Sequence, residues 1–262
     1  MNSAHDLILD ADELRKFINW LPDLERSETY YVSLLARRKY CSEENRGLVK
    51  SESEIRRTTC TKETMFRSIA QFECRRGAYD VPEESLAVYV TPNPRDQDRA
   101  LRNLLMRCAD AVCRGYRENN LVAMTLSEIH KAHGKKKFVS FDFDGPLPRN
   151  LSSAVNLDAV DVVQTRGGFH VLVRPADVVT GLKDSWWREI RQLPGFDVCK
   201  GDDMLPVPGC FQGGFIPRLL SADELVARLQ DERKIADVCC YSCFAAGQAT
   251  GDCKFAFKKE CK

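Results

Sequence analysis

No stretch of this 262-residue chain approaches the roughly 18 consecutive apolar residues that a helix needs to cross a bilayer. A role within a membrane is therefore not expected. The opening segment, MNSAHDLILDADEL, is acidic and lacks a basic region followed by an apolar one. That predicts no secretory leader and makes the cytoplasm, or the interior of a mobile element's host, the expected setting. Internal repeats and low-complexity linkers are missing, which excludes solenoid and disordered classes. A Walker phosphate loop and helicase motifs are missing too, so any unwinding partner, a helicase or other replication protein, is expected to be a separate protein or absent. Excess charge is also lacking. A formal net charge of +1 rules out a uniformly basic polyanion binder. The mean hides an asymmetry, because Ala36 to Tyr79 holds eleven Lys and Arg against six Glu. This is a modest footprint for a polyanion, and a solvated helical surface would look the same.

What is present describes a soluble globular protein, 44% hydrophobic and 29% charged, long enough for one large domain or two small ones. Asp10 or Asp12 caps an expected helix through Leu14, Phe17, Ile18 and Leu21. Tyr30 to Arg38 reads as strand or helix. Ser51 to Cys74 is expected as one helix with Ile55, Phe66, Ile69 and Phe72 on its apolar side. Ser85 to Thr91 reads as a strand ended by Pro92-Asn93-Pro94-Arg95, and Asp96 to Tyr116 as a helix. A shorter helix starts at Trp186, and Ser221 to Glu224 is a capping box for another. Strands and helices interleave, giving an α+β or mixed α/β class, of which α+β is the expectation.

Two stretches carry chemistry. In Lys137 to Asp144, KFVSFDFD, the apolar Val139, Phe141 and Phe143 alternate with Ser140, Asp142 and Asp144, the period of a half-buried strand. Asp142 and Asp144 then share a face, roughly 6.5–7 Å apart. Two bare carboxylates this close repel, which points to a positive charge between them, and hard divalent cations are the usual answer. In Val162 to Arg174, VVQTRGGFHVLVR, a turn at Arg166-Gly167-Gly168 precedes a strand that puts His170 opposite the face of Phe169 and Val171. His170 is expected to come opposite Asp142 and Asp144.

In this order the residues resemble the archaeo-eukaryotic primase superfamily, in particular its primase-polymerase members. Phe141-Asp142-Phe143-Asp144 looks like its first motif, and Thr165-Arg166-Gly167-Gly168-Phe169-His170 like its second. Phe196-Asp197, twelve residues before Gly209 in Pro206-Val-Pro-Gly, looks like the third. Asn93-Pro94-Arg95 resembles a segment upstream of these motifs in some members, and the match covers roughly Ser85 to Leu220. Two departures stand out: Asp202 and Asp203 compete with Asp197 for the third carboxylate, and Gly168 stands where many relatives have serine. The resemblance implies an RRM-like antiparallel catalytic sheet at 126–220, an N-terminal α/β part at 1–125 on the template side, and a C-terminal helix and tail at 221–262. It implies template-dependent synthesis from nucleoside triphosphates on single-stranded DNA with two Mg²⁺ or Mn²⁺ ions. Asp142, Asp144 and Asp197 (Asp203 as the alternative) would hold the metals, and His170 and Arg166, helped by the N–H groups of Gly167 and Gly168, would grip the triphosphate. Arg95, Arg37, Arg38 and Lys39 would hold template phosphates.

Two other readings remain. Phe141 to Gly145 also looks like the Asp-x-Asp-Gly signature of haloacid-dehalogenase-type phosphatases, with Asp142 as nucleophile and Asp144 as general acid. Only about 57 residues then separate it from Gly201-Asp202-Asp203, too few for the βα units of that fold. Alternatively, an RRM-like sheet with basic surroundings would bind single-stranded nucleic acid without catalysis. Of twelve cysteines, Cys41, Cys60, Cys74, Cys108, Cys113, Cys199 and Cys210 lack metal-site spacing and are expected as reduced, mostly buried thiols. The other five crowd the last 24 residues. Cys240, Cys243, Cys253 and Cys261 would suit a structural Zn²⁺, with unpaired thiols, Cys239 among them, as the alternative. His130 and His133 are read as the polar end of a helix.

Overall fold

The computed structural model describes residues 4–75, 77–115, 120–182, 184–198 and 204–230. Strand β1 (Ala4–His5) leads to α1 (Ala11–Trp20), whose first turn is capped as expected by Asp10: its carboxylate accepts from the N–H groups of Asp12 and Glu13. The Tyr30 stretch becomes β2 (Glu28–Ala36). The expected helix from Ser51 to Cys74 is instead a strand, β3 (Ser53–Cys60), followed by α2 (Lys62–Ala70). Thr58 and Thr59, stiff at χ1, favour extended backbone, and a capping box between Thr61 and Thr64 starts the helix only after them. Then come β4 (Cys74–Arg75), β5 (Leu86–Val90), β6 (Arg95–Asp96), α3 (Gln97–Cys113) and α4 (Leu121–Lys131).

The second half runs β7 (Val139–Asp144), α5 (Leu151–Ala154), β8 (Val160–Gln164), β9 (Gly168–Val173), α6 (Trp186–Ile190) and β10 (Phe196–Asp197). After β11 (Leu205–Pro206) and β12 (Arg218–Leu219), helix α7 occupies 222–230. Ser221 and Glu224 close its expected capping box: the Ser221 N–H donates to the Glu224 carboxylate and the Glu224 N–H to the Ser221 hydroxyl.

The class is α+β with antiparallel sheets. Two of these have five strands: one in the order β11-β5-β2-β3 with β6 also on β2, the other β10-β7-β9-β8-β12. In the second sheet, period-2 alternation sends Phe141, Phe143, Phe169, Val171 and Val162 to one face. There they are buried against Leu151 of α5, Trp186 and Ile190 of α6, and Leu225 and Leu229 of α7. On the other face, Val163 and Leu172 join Phe17, Val32 and Val88 in a core shared with the first sheet. The expected boundary at 125/126 falls inside α4, and β11 pairs back onto β5, so the two halves are stitched together. The described start of the 221–262 segment packs on the second sheet.

The Pro-Gly segment has a structural job. The Gly209 carbonyl accepts from the N–H groups of Leu9 and Asp10 at 2.9 Å, just before α1. Gly209 has φ +80°, and a Cβ there would lie 2.4 Å from the Asp10 carbonyl oxygen, so only glycine lets this loop reach the helix start. Cys41, Cys60 and Cys210 are buried free thiols and Cys74 and Cys108 half-buried, whereas Cys113 is exposed. Burial pushes the Cys60 thiol up to about 12, which keeps it protonated and inert. Cys199 and the C-terminal cysteines lie outside the described residues. Among the described residues, no helix is long and apolar enough to cross a membrane.

Candidate active site

The start of β7 is fixed by Asn93. Its Oδ1 accepts from the N–H groups of Lys137 and Phe138, and its Nδ2 donates to the Phe138 carbonyl. From there the strand's alternation aims Asp142 and Asp144 at the face turned toward the first sheet. Strand register supplies their neighbours: Asp142 lies directly opposite His170 on β9 and directly opposite Asp197 on β10. Directly opposed residues share a face, with Cβ atoms about 4.5–5.5 Å apart. His170 Nε2 is 3.4 Å from Asp142 Oδ1. Asp144 lies opposite Gly168. A Cβ at Gly168 would sit 1.8 Å from the Phe143 carbonyl oxygen, so a serine there would force the two strands apart.

This face opens into a cleft of about 410 Å³ between the two sheets. Asp142, Asp144, His170 and Asp197 line one side and Arg37, Lys39, Tyr40 and Tyr89 the other, with Gly167 and Gln212 between them. Arg37 is held by Glu52, 2.5 Å from its Nε, and its Nη1 donates to the Tyr89 hydroxyl at 2.9 Å. Arg166 donates from Nη1 to the Tyr40 carbonyl at 3.1 Å, and its guanidinium lies 5.1 Å from the centre of the Tyr40 ring. The His170 imidazole is held below its ordinary pKa. Burial is the main cause, Asp142 opposes it, and the charges of Lys39 and Arg37 reinforce it. The ring is therefore neutral near pH 7 and acts as a hydrogen-bonding group rather than a cation.

The structure thus brings Asp142, Asp144, Asp197, His170, Gly167, Arg37 and Lys39 to one cleft, with Arg166 packed on its wall. Arg38 is exposed on the short turn 38–40 beside it. Arg95 is a correction. It was expected to hold template phosphate, but it is 1% exposed, and its guanidinium faces the His133 ring. Pairing of β6 with β2 turns it into the junction with α4, out of reach of a nucleic acid. His130 stacks on Tyr31 at 4.5 Å in the same junction. Asp202 and Asp203 lie outside the described residues. Sequence reasoning missed Tyr40, Tyr89 and Gln212. The only signals were Tyr89 within a strand and Gln212 just after the Pro-Gly segment.

The donor set suits a hard cation. Asp142 and Asp197 are like charges directly opposed on paired strands, an unfavourable arrangement without a counter-charge. Their donors are oxygens, as Mg²⁺ and Mn²⁺ prefer. Among the described residues, no three His, Cys, Asp or Glu side chains converge closely enough to enclose a metal by themselves. The fit is to an ion that keeps waters and takes further oxygens from a bound phosphate.

Comparisons of the chain with protein-family models, with curated proteins and with solved structures each return no match. The functional reading therefore stands on the cleft's own residues.

Proposed function

We propose that this chain is a primase-polymerase-like nucleotidyltransferase. It would use Mg²⁺ or Mn²⁺ to add nucleotides from their triphosphates to a 3′-hydroxyl, or to start a primer, on a single-stranded DNA template. One observation carries the reading: Asp142 is flanked on its two neighbouring strands by His170 and Asp197, on the face of the sheet that opens into the cleft. The chain path supports it. The order β7-α5-β8-β9-α6-β10, with strands arranged β10-β7-β9-β8 and these helices on one face, is consistent with the split β-α-β pattern expected of an RRM-like core. The phosphatase reading needs parallel βα units, and every strand pair among the described residues is antiparallel.

Bound cations would polarise the attacking 3′-oxygen and neutralise the charge that develops on the leaving pyrophosphate. Asp142, Asp144 and Asp197 would hold them. His170, neutral and fixed beside Asp142, orients a phosphate oxygen by hydrogen bonding instead of supplying charge. Lys39 and Arg37 provide the positive field on the facing wall, and the exposed Arg166-Gly167 turn closes the cleft beside them.

Extension assays on single-stranded DNA test this, with and without a primer, with deoxy- or ribonucleotides, and with Mg²⁺ or Mn²⁺. Templated product is expected from the wild type, and none from Asp142→Ala with DNA binding retained. A wild-type protein that binds DNA yet makes no product with either metal would replace this reading with the non-catalytic one.

A further inference from the structure

Across the cleft from the acidic strand, hydrogen bonds run unbroken from one wall to the other. The Arg166 backbone N–H donates to Gln212 Oε1 at 2.9 Å. A backbone N–H can only donate, so it fixes the amide's orientation and leaves Nε2 to donate to the Tyr40 hydroxyl at 2.7 Å. The Tyr40 and Tyr89 hydroxyls lie 3.0 Å apart, and Arg37 Nη1 donates to Tyr89 at 2.9 Å. Tyr40, Tyr89 and Gln212 are 5%, 4% and 2% exposed, so the relay is sheltered from water.

Both ends of the phenol pair are thus met by groups that donate to it. The pair carries two protons, and one is used between the two oxygens. The other meets no acceptor among the described residues. Burial, aided by Tyr40, pushes the Tyr89 phenol well up, so its proton stays in place. A sheltered hydroxyl normally finds a partner, and both of these line the cleft that holds Asp142 and His170.

We propose that the Tyr40–Tyr89 pair is a ligand contact, presenting one hydrogen-bond donor to an oxygen of the bound nucleotide, with Gln212 and Arg37 setting its direction. This rests on the nucleotide-binding reading above. A phosphate oxygen and a sugar oxygen are both acceptors, and two probes separate them: Mg²⁺-tripolyphosphate and Mg²⁺-dATP.

Calorimetry on the full chain, alongside thermal unfolding, provides the test. Tyr40→Phe/Tyr89→Phe should bind Mg²⁺-dATP about tenfold more weakly, as loss of one hydrogen bond to a charged or strongly polar group implies. Equal loss with tripolyphosphate assigns the contact to phosphate, and loss with dATP alone assigns it to the nucleoside. Unchanged affinity for both probes overturns the proposal. Wild-type protein that binds neither probe overturns the nucleotide reading itself, a distinct result. Gln212→Glu adds a second arm. Its carboxylate only accepts, so it draws the Tyr40 proton to itself and the Tyr89 proton to Tyr40, leaving none for a ligand. It should weaken binding in the wild type but not further in the double-Phe protein. Equal weakening in both means charge repulsion alone and contradicts the relay. Should the double variant fail to fold, Gln212→Glu is compared between Tyr89→Phe, where it takes the Tyr40 proton, and Tyr40→Phe, where the linking hydroxyl is gone; equal weakening in both contradicts the relay.

Discussion

The two faces of β7 differ completely in what they tolerate. Phe141 and Phe143 point into an apolar layer beneath the helices, and Phe143 is fully buried. Asp142, one residue away, points into a cleft with a second carboxylate opposite it. The first face is built for stability, whereas the second sets two carboxylates on opposed strands, with Lys39 and Arg37 on the facing wall.

Paired substitutions sharpen this contrast. Asp142→Ala should remove synthesis by roughly a thousandfold or more, the scale of losing a metal's charge stabilisation, while thermal unfolding is unchanged or shifts upward. Activity that survives would break the contrast at its functional end. Phe143→Ala should do the reverse in denaturant titrations, lowering stability by about 3–5 kcal/mol. Gly168→Ser should lower stability by about 1–3 kcal/mol because its Cβ meets the Phe143 carbonyl. A stable, fully active Gly168→Ser protein would show that β7 and β9 can separate at this position without cost. The smallest effect belongs to His170→Ala, about tenfold on nucleotide KM with a lesser change in kcat. An unchanged KM in steady-state kinetics would remove His170 from nucleotide binding.

Much of the acidic face was legible because it depends on short-range periodicity. Alternation within Val139–Asp144 and Gly168–Val173 assigns each side chain to a face, and antiparallel pairing then brings His170 to Asp142. The Asp10 and Ser221 caps are legible for the same reason, being contained within four residues. What failed was not local. Ile55, Phe66, Ile69 and Phe72 satisfy a helical period across a chain that in fact breaks at Thr61, because pairing of β3 with β2 outweighs it. Arg95 read as exposed because arginine usually is, and only the docking of α4 buries it. The Tyr40–Tyr89–Gln212 relay joins residues up to 172 positions apart, beyond the reach of any spacing rule.

The most direct test is a crystal soaked with Mn²⁺ and a non-hydrolysable deoxynucleoside triphosphate, read by anomalous scattering. Manganese signal is predicted at the carboxylates of Asp142, Asp144 and Asp197, with a triphosphate oxygen within hydrogen-bonding reach of His170. Manganese and nucleotide found elsewhere, with these carboxylates facing only solvent, would contradict the account.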